Sequence, residues 1–170
     1  MSLRPAGPAD FPFIRALAQR PENAPFISDE DEAGLSAYLA SPEDDLLIWE
    51  EAGAPMGFAL FCEIGEPSGR VELRRLALAE TGGGRGRAFL AALIAHGFGA
   101  LGAAKIWLDA SGENLRAQHL YRAVGFTEEG RLRRHWYRPC LGRVVDLVLF
   151  GLLRDDPAAQ AALAAAGARA

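Results

Sequence analysis

The sequence predicts an α/β (α+β) sandwich on a mixed sheet, and three observations lead there. Apolar residues recur with period two in some stretches and with period 3.6 in others. These stretches run helices first, then a strand meander, one strand–loop–helix–strand unit, another helix and a closing pair of strands. The 170 residues suit one hydrophobic core. That order excludes a doubly wound sheet and implies a mostly antiparallel one of about six or seven strands flanked by about four helices.

A short strand, Ser2–Arg4, opens the chain. Asp10 then caps a helix with Phe13, Ile14 and Leu17 on one face. A second helix is expected from about Asp29 to Leu39, because the run Asp29-Glu30-Asp31-Glu32 suits a helix N-terminus. Leu46–Glu50 and Gly57–Ile64 read as strands around a Gly53-Ala54-Pro55 turn, and Gly65–Gly69 leads into a long strand, Arg70–Leu78. A glycine-rich loop, Gly82–Gly86, precedes an apolar helix, Arg87–Leu101. Lys105–Asp109 is a strand and Glu113–Val124 a helix that Gly125 ends. Phe126–Tyr137 and Val144–Leu152 form an antiparallel pair. Residues 1–154 are thus expected to be one domain. Residues 155–170, mostly alanine, are a tail compatible with either a frayed helix or loose coil.

Composition narrows the function classes. The formal charge of −4 lacks the basic footprint of a nucleic-acid binder. The mixed stretch Arg131–Arg138 therefore reads as a solvated hairpin rather than an RNA contact. No apolar run approaches the ~20 residues that span a bilayer, and the start resembles no secretory signal. Cys62 and Cys140 are far apart and match no metal spacing, nor do His96, His119 and His135. The expectation is a cytoplasmic protein with no metal, no nucleic-acid partner and no membrane. The last strands leave an edge through which a homodimer could pair.

Two segments carry chemistry. Thr81-Gly82-Gly83-Gly84-Arg85-Gly86-Arg87 lies between a strand and a helix N-terminus. Glycines there let backbone N–H groups converge on an anion, and the helix dipole adds about half a positive charge. A purely geometric turn would need the same glycines. Phe89 stands where a dinucleotide fingerprint wants glycine or alanine, and no Gly-Lys-Ser/Thr follows, so neither familiar nucleotide motif fits. In the next helix Asn114, Ala117 and Tyr121 share a face, offering an amide, a small residue and a phenol. Alone, Asn114 reads equally well as a cap and Tyr121 as a half-buried aromatic.

Together these segments resemble a known family. Asn114 through Phe126 matches Asn-x-x-Ala-x-x-x-Tyr-x-x-x-Gly-Phe, a signature of the GNAT acetyltransferases, at every marked position. Leu76-Ala77-Leu78, followed by Gly84-Arg85-Gly86, resembles that family's acyl-CoA motif, which ends in (Gln/Arg)-x-x-Gly-x-(Gly/Ala). Thr81 departs from it where Gln or Arg leads.

The resemblance implies an N-acetyltransferase that moves the acetyl group of acetyl-CoA to a primary amine by direct attack on the thioester, with no metal. It places the pyrophosphate on Thr81, Gly82, Gly83, Gly84, Arg85, Gly86 and Arg87. The pantetheine would run along Leu76, Ala77 and Leu78, beside Asn114, Ala117 and Tyr121. Tyr121 would serve the leaving thiolate. Glu72 matches the general-base glutamate of some members, although a glutamate paired with Arg74 fits that residue pattern equally. Asp109 reads as ordering the turn after it. Acidic stretches at Asp29–Glu32 and Glu43–Asp45 favour a cationic acceptor, either a small amine or a protein amine. The alternative is a non-catalytic acyl-CoA-binding or sensing domain with the same fold.

Overall fold

The computed structural model describes residues 2–168. Its strands are β1 (Ser2–Pro5), β2 (Asp45–Glu51), β3 (Ala54–Cys62), β4 (Arg70–Leu78), β5 (Lys105–Ser111), β6 (Thr127–Arg138) and β7 (Arg143–Leu153). Its α-helices are α1 (Phe11–Ala18), α2 (Glu32–Ala40), α3 (Arg85–Gly99), α4 (Leu115–Ala123) and α5 (Pro157–Gly167). The strands form one sheet in the order β1-β2-β3-β4-β5-β7-β6. Every neighbouring pair is antiparallel except β4 with β5. This is the mixed, mostly antiparallel sheet that the sequence predicts.

Alternation along the strands feeds two cores, because successive side chains face opposite sides of a sheet. Leu47, Trp49, Ala59 and Phe61 pack with Phe89, Leu93 and Phe98 of α3 on one side. Leu46, Ile48, Phe58 and Leu60 pack with Phe11, Ile14, Leu17 and Leu35 of α1 and α2 on the other.

A bulge interrupts this pattern in β4. Leu60 pairs with Arg75 and Phe61 with Leu73, which leaves Arg74 without a partner on β3. Val71 and Leu73 enter the α3-side core before the bulge, and Leu76 and Leu78 contact it afterwards. An extra residue of this kind bends its strand and increases local twist. Just beyond this point the sheet opens. β4 and β5 pair only over Arg70–Glu72 and Lys105–Trp107, although β4 continues to Leu78 and β5 to Ser111. The two strands diverge into a wedge.

Several local expectations shift. α2 begins at Glu32, not Asp29, because the acidic run is divided among different partners. Asp29 accepts from Arg15 and Gln19 (3.1 and 2.7 Å), and Glu30 pairs with Arg75 (2.8 Å). Only Asp31 caps the helix, taking the Gly34 N–H at 2.8 Å. Asp10 precedes α1 without capping it; its carboxylate takes the Gly7 N–H at 2.9 Å and both terminal nitrogens of Arg4 at 2.8 Å.

The alanine-rich end, over Pro157–Gly167, forms a fifth helix, with Ala159 fully buried and Leu163 packed on the α3-side core. Gly125 permits this docking. Its φ is +104°, and a Cβ there would lie 2.2 Å from that of Ala158. Among the described residues no helix is long and apolar enough to cross a membrane.

Candidate active site

Leu76, Ala77 and Leu78 form one wall of the wedge. Their β3 partners, Ala59, Phe58 and Gly57, occupy one edge of β4, and the opposite edge has no strand beside it. Leu76 and Leu78 are partly buried and Ala77 is buried. An unpaired strand edge is a ready template for an extended, amide-bearing chain.

The loop beyond this wall is built to leave N–H groups free. Gly82, Gly83 and Gly84 have φ of +97°, +57° and +81°, a left-handed run that only glycine adopts routinely. Arg85 N–H returns to the Gly82 carbonyl and Ala88 N–H to that of Gly84. No side chain caps α3, and the Gly86 and Arg87 amides have no partner among the described residues. α3 thus starts at Arg85, inside the loop expected from the sequence. Thr81 and Arg87 are exposed.

Gly86 also has a packing reason, since a Cβ would sit 3.0 Å from Leu120 Cδ2 of α4. The Arg85 guanidinium folds back toward Glu51 and Glu80, at 3.5 and 3.6 Å. Its Nε and the facing Glu51 Oε1 are both buried without a hydrogen bond.

α4 faces the wedge from the β5 side. Asn114 is its N-cap, with Oδ1 accepting from Ala117 N–H at 3.1 Å, and Ala117 is half-buried. Gln118, missed in the sequence, is buried and donates from Nε2 to the Ser111 carbonyl at 2.9 Å, tying the helix to the end of β5. Tyr121 is 7% exposed, edge-on to Phe150 with ring centroids 5.6 Å apart. Burial, and then the charge of Asp109, push its phenol well above the ordinary tyrosine range.

Two carboxylates stand where β4 and β5 part. Glu72 is 8% exposed and accepts from Arg74, with Nε at 2.7 Å and Nη2 at 2.5 Å, so the pair foreseen with Arg74 forms. Glu72 is the buried member of this pair, and Arg74 is exposed. Asp109 does not order the following turn. Gly112 N–H goes to the Asp146 carbonyl at 2.8 Å and Glu113 N–H to Ser111 Oγ at 3.3 Å. Asp109 is exposed, yet the protein packed around its exposed side chain and the neighbouring Glu72 push its carboxyl up to about 6, against opposing influence from His135 and Arg74.

A third feature escaped the sequence because its partners lie more than a hundred residues away. Arg138, 3% exposed at the end of β6, donates to the carbonyls of Pro25, Ala24 and Ile27 at 2.9, 2.5 and 3.2 Å, and to Ser28 Oγ at 2.9 Å. It clamps the α1–α2 connection onto the final hairpin. Among the described residues no group of three or more His, Cys, Asp or Glu side chains is placed to hold a metal.

Comparisons with known proteins agree with this architecture. The model of the acetyltransferase (GNAT) family matches residues 11–126. A mycothiol acetyltransferase of Kineococcus radiotolerans is 35% identical over 114 residues, which are 66% of this chain and 36% of that protein. The chain therefore spans little more than a third of that relative's length.

Among solved structures, spermidine N-acetyltransferase from Vibrio cholerae, in complex with CoA and spermine, superposes with a TM-score of 0.81 at 24% identity, covering 91% of this chain and 96% of that one. A dodecameric form of the Vibrio cholerae enzyme in an intermediate state gives 0.75 at 24% identity, covering 90% and 93%. The splayed mixed sheet and its glycine loop thus define an acetyltransferase-type fold. The chain belongs to the GNAT acetyltransferase family.

Proposed function

We propose that the protein transfers the acetyl group of acetyl-CoA to a primary amine. The observation that carries this reading is the wedge between β4 and β5, with an uncapped, glycine-led helix at one end and a buried tyrosine in its side. Those features fit CoA part by part. The free amides of Gly86 and Arg87 and the loop Thr81–Gly84 suit a pyrophosphate. Arg85 would exchange its long contacts with Glu51 and Glu80 for phosphate oxygens. The open edge of Leu76–Leu78 suits the amides of a pantetheine arm, with Asn114 and Ala117 on the facing helix.

In this reading the amine nitrogen attacks the thioester carbonyl. Negative charge grows on the carbonyl oxygen, where a backbone N–H near Leu76 is the donor. The C–S bond then breaks and its electron pair leaves with sulfur. A thiol titrates near ~8.5 and an unperturbed phenol near ~10, and burial raises Tyr121 further. Tyr121 therefore stays protonated and stabilises the thiolate by donating a hydrogen bond, without surrendering the proton.

The family membership supports acetyl transfer, and the polyamine ligand of the structural neighbour supports trying cationic amines first.

Isothermal titration of acetyl-CoA into the protein tests the binding half. Micromolar affinity that vanishes in Gly84→Glu supports the loop assignment, and absence of binding by the folded wild type refutes it. A thiol-release screen over primary amines, with Tyr121→Phe reducing kcat at least tenfold, tests transfer. Binding without turnover of any amine would favour a sensing domain.

A further inference from the structure

We infer that Asp109, rather than Glu72, accepts the proton that an acceptor ammonium must shed before its nitrogen can attack. The inference rests on the transfer reading above and deepens it. Both carboxylates belong to the strand pair that forms the wedge and lie on the same face of the sheet. Val71 and Leu73 flank Glu72, Leu108 and Ala110 flank Asp109, and all four enter the α3-side core. The two acids therefore point to the opposite side, toward α1 and α2. Glu72 is level with Trp107, in the last paired row. Asp109 lies two residues further along β5, inside the opening where β4 no longer covers it.

Their partners separate them. Glu72 is held by the Arg74 guanidinium at 2.7 and 2.5 Å. That pairing occupies its carboxylate with the charged donors of Arg74, so it is not free to take up an incoming ammonium. Asp109 has no hydrogen bond or ion pair among the described residues, and it is solvent-accessible, so an incoming amine can reach it. The groups that act on it electrostatically are Glu72 and Arg74 of β4, His135 of β6 and, from α4, the phenol of Tyr121. Glu72 opposes its ionisation while Arg74 and His135 favour it, and the protein packed around it opposes ionisation most. A carboxyl that titrates at about 6 is well matched to a base operating near neutral pH.

The proton balance closes. The ammonium gives one proton to the Asp109 carboxylate, and the neutral amine forms the new C–N bond as the C–S bond breaks. The attacking nitrogen loses its second proton as the amide forms, and this proton neutralises the thiolate. Asp109 returns its own proton to solvent. Glu72 keeps Arg74 in place and raises the basicity of Asp109, which makes it a positioning residue.

The test is the pH dependence of kcat/KM for spermidine and for n-butylamine as a minimal primary amine, in wild type, Asp109→Asn and Glu72→Gln. Acetyl-CoA affinity is measured in parallel by calorimetry. In wild type the rate should climb with unit slope below about pH 6, the value set by Asp109. Asp109→Asn should lower kcat about a hundredfold or more, abolish that limb and leave acetyl-CoA affinity within twofold. Glu72→Gln should lower kcat less than tenfold and keep a limb, moved to lower pH. A limb that survives Asp109→Asn and disappears in Glu72→Gln overturns the assignment, as does a limb untouched by either. Absence of acetyl-CoA binding in wild type defeats the transfer reading instead. Binding with no turnover of any amine removes both.

Discussion

α3 and α4 both start beside the wedge, and they start in opposite ways. α4 opens on Asn114, whose Oδ1 takes the Ala117 N–H, so one of its orphan donors is met by the chain itself. α3 opens on Gly84 in the left-handed region, with no side chain to accept anything from its first turn. A self-capped helix is complete as folded, whereas an uncapped one with converging amides is complete only when something anionic arrives. The same fold thus contains one helix start closed by its own side chain and one whose first amides the chain leaves unpaired, the start proposed above for the pyrophosphate.

The sharpest way to break that contrast is to give α3 its own anion. Gly83→Asp is tolerable at φ +57°, since aspartate visits that region more readily than most residues. Its carboxylate should compete for the loop amides and lower acetyl-CoA affinity about a thousandfold, or ~4 kcal/mol, in a calorimetric titration. The melting temperature should barely move.

Gly125→Ala acts at the far end of α4 and should do the reverse. The new Cβ meets Ala158 at 2.2 Å and sits at positive φ, so unfolding in urea should show a loss of about 3 kcal/mol. Whatever remains folded should bind acetyl-CoA normally. Asn114→Ala removes the α4 cap and should cost about 1 kcal/mol in the same measurement. Asn114→Asp keeps the cap, so any affinity it loses belongs to the amide.

The smallest effect is the stability profile set by Asp109, because the side chain is exposed and solvent screens much of its interaction. Its carboxyl titrates at about 6 when folded, above its ordinary value of 3.8, so the folded state holds the proton more tightly. Stability from this group is fully present below about pH 4 and declines as pH rises through about 6. Asp109→Asn should flatten that decline in pH-resolved thermal melts and be slightly more stable than wild type at pH 7.

Both helix starts are legible in the sequence, and the wedge between them is not. Asn114 to Phe126 announces itself because cap, small residue, phenol and terminal glycine all lie within one helix and its end. The glycine run is equally local. The wedge is not, because it depends on where β4 and β5 stop pairing, a property of two strands whose paired residues lie 35 positions apart. Locally Asp109 reads as a turn residue for that reason, while its surroundings come from β4, β6 and α4. The start of α2 was misplaced because Asp29 and Glu30 serve Arg15, Gln19 and Arg75, contacts that no local rule supplies. The alanine-rich end became a docked helix through Ala159, Leu163 and the bare surface of Gly125, again a tertiary matter.

The bulge at Arg74 carries a consequence for how such a site could arise. Core residues precede it at Val71 and Leu73 and follow it at Leu76 and Leu78, so removing this one residue would restore an unbroken alternation with every apolar side chain still facing inward. The hydrophobic interior is therefore indifferent to the insertion, and only the bend of the strand depends on it. A gain or loss of a single codon therefore changes the bend of β4 next to the point where it parts from β5, while its apolar alternation is kept. Evolution could make that change without rebuilding the interior.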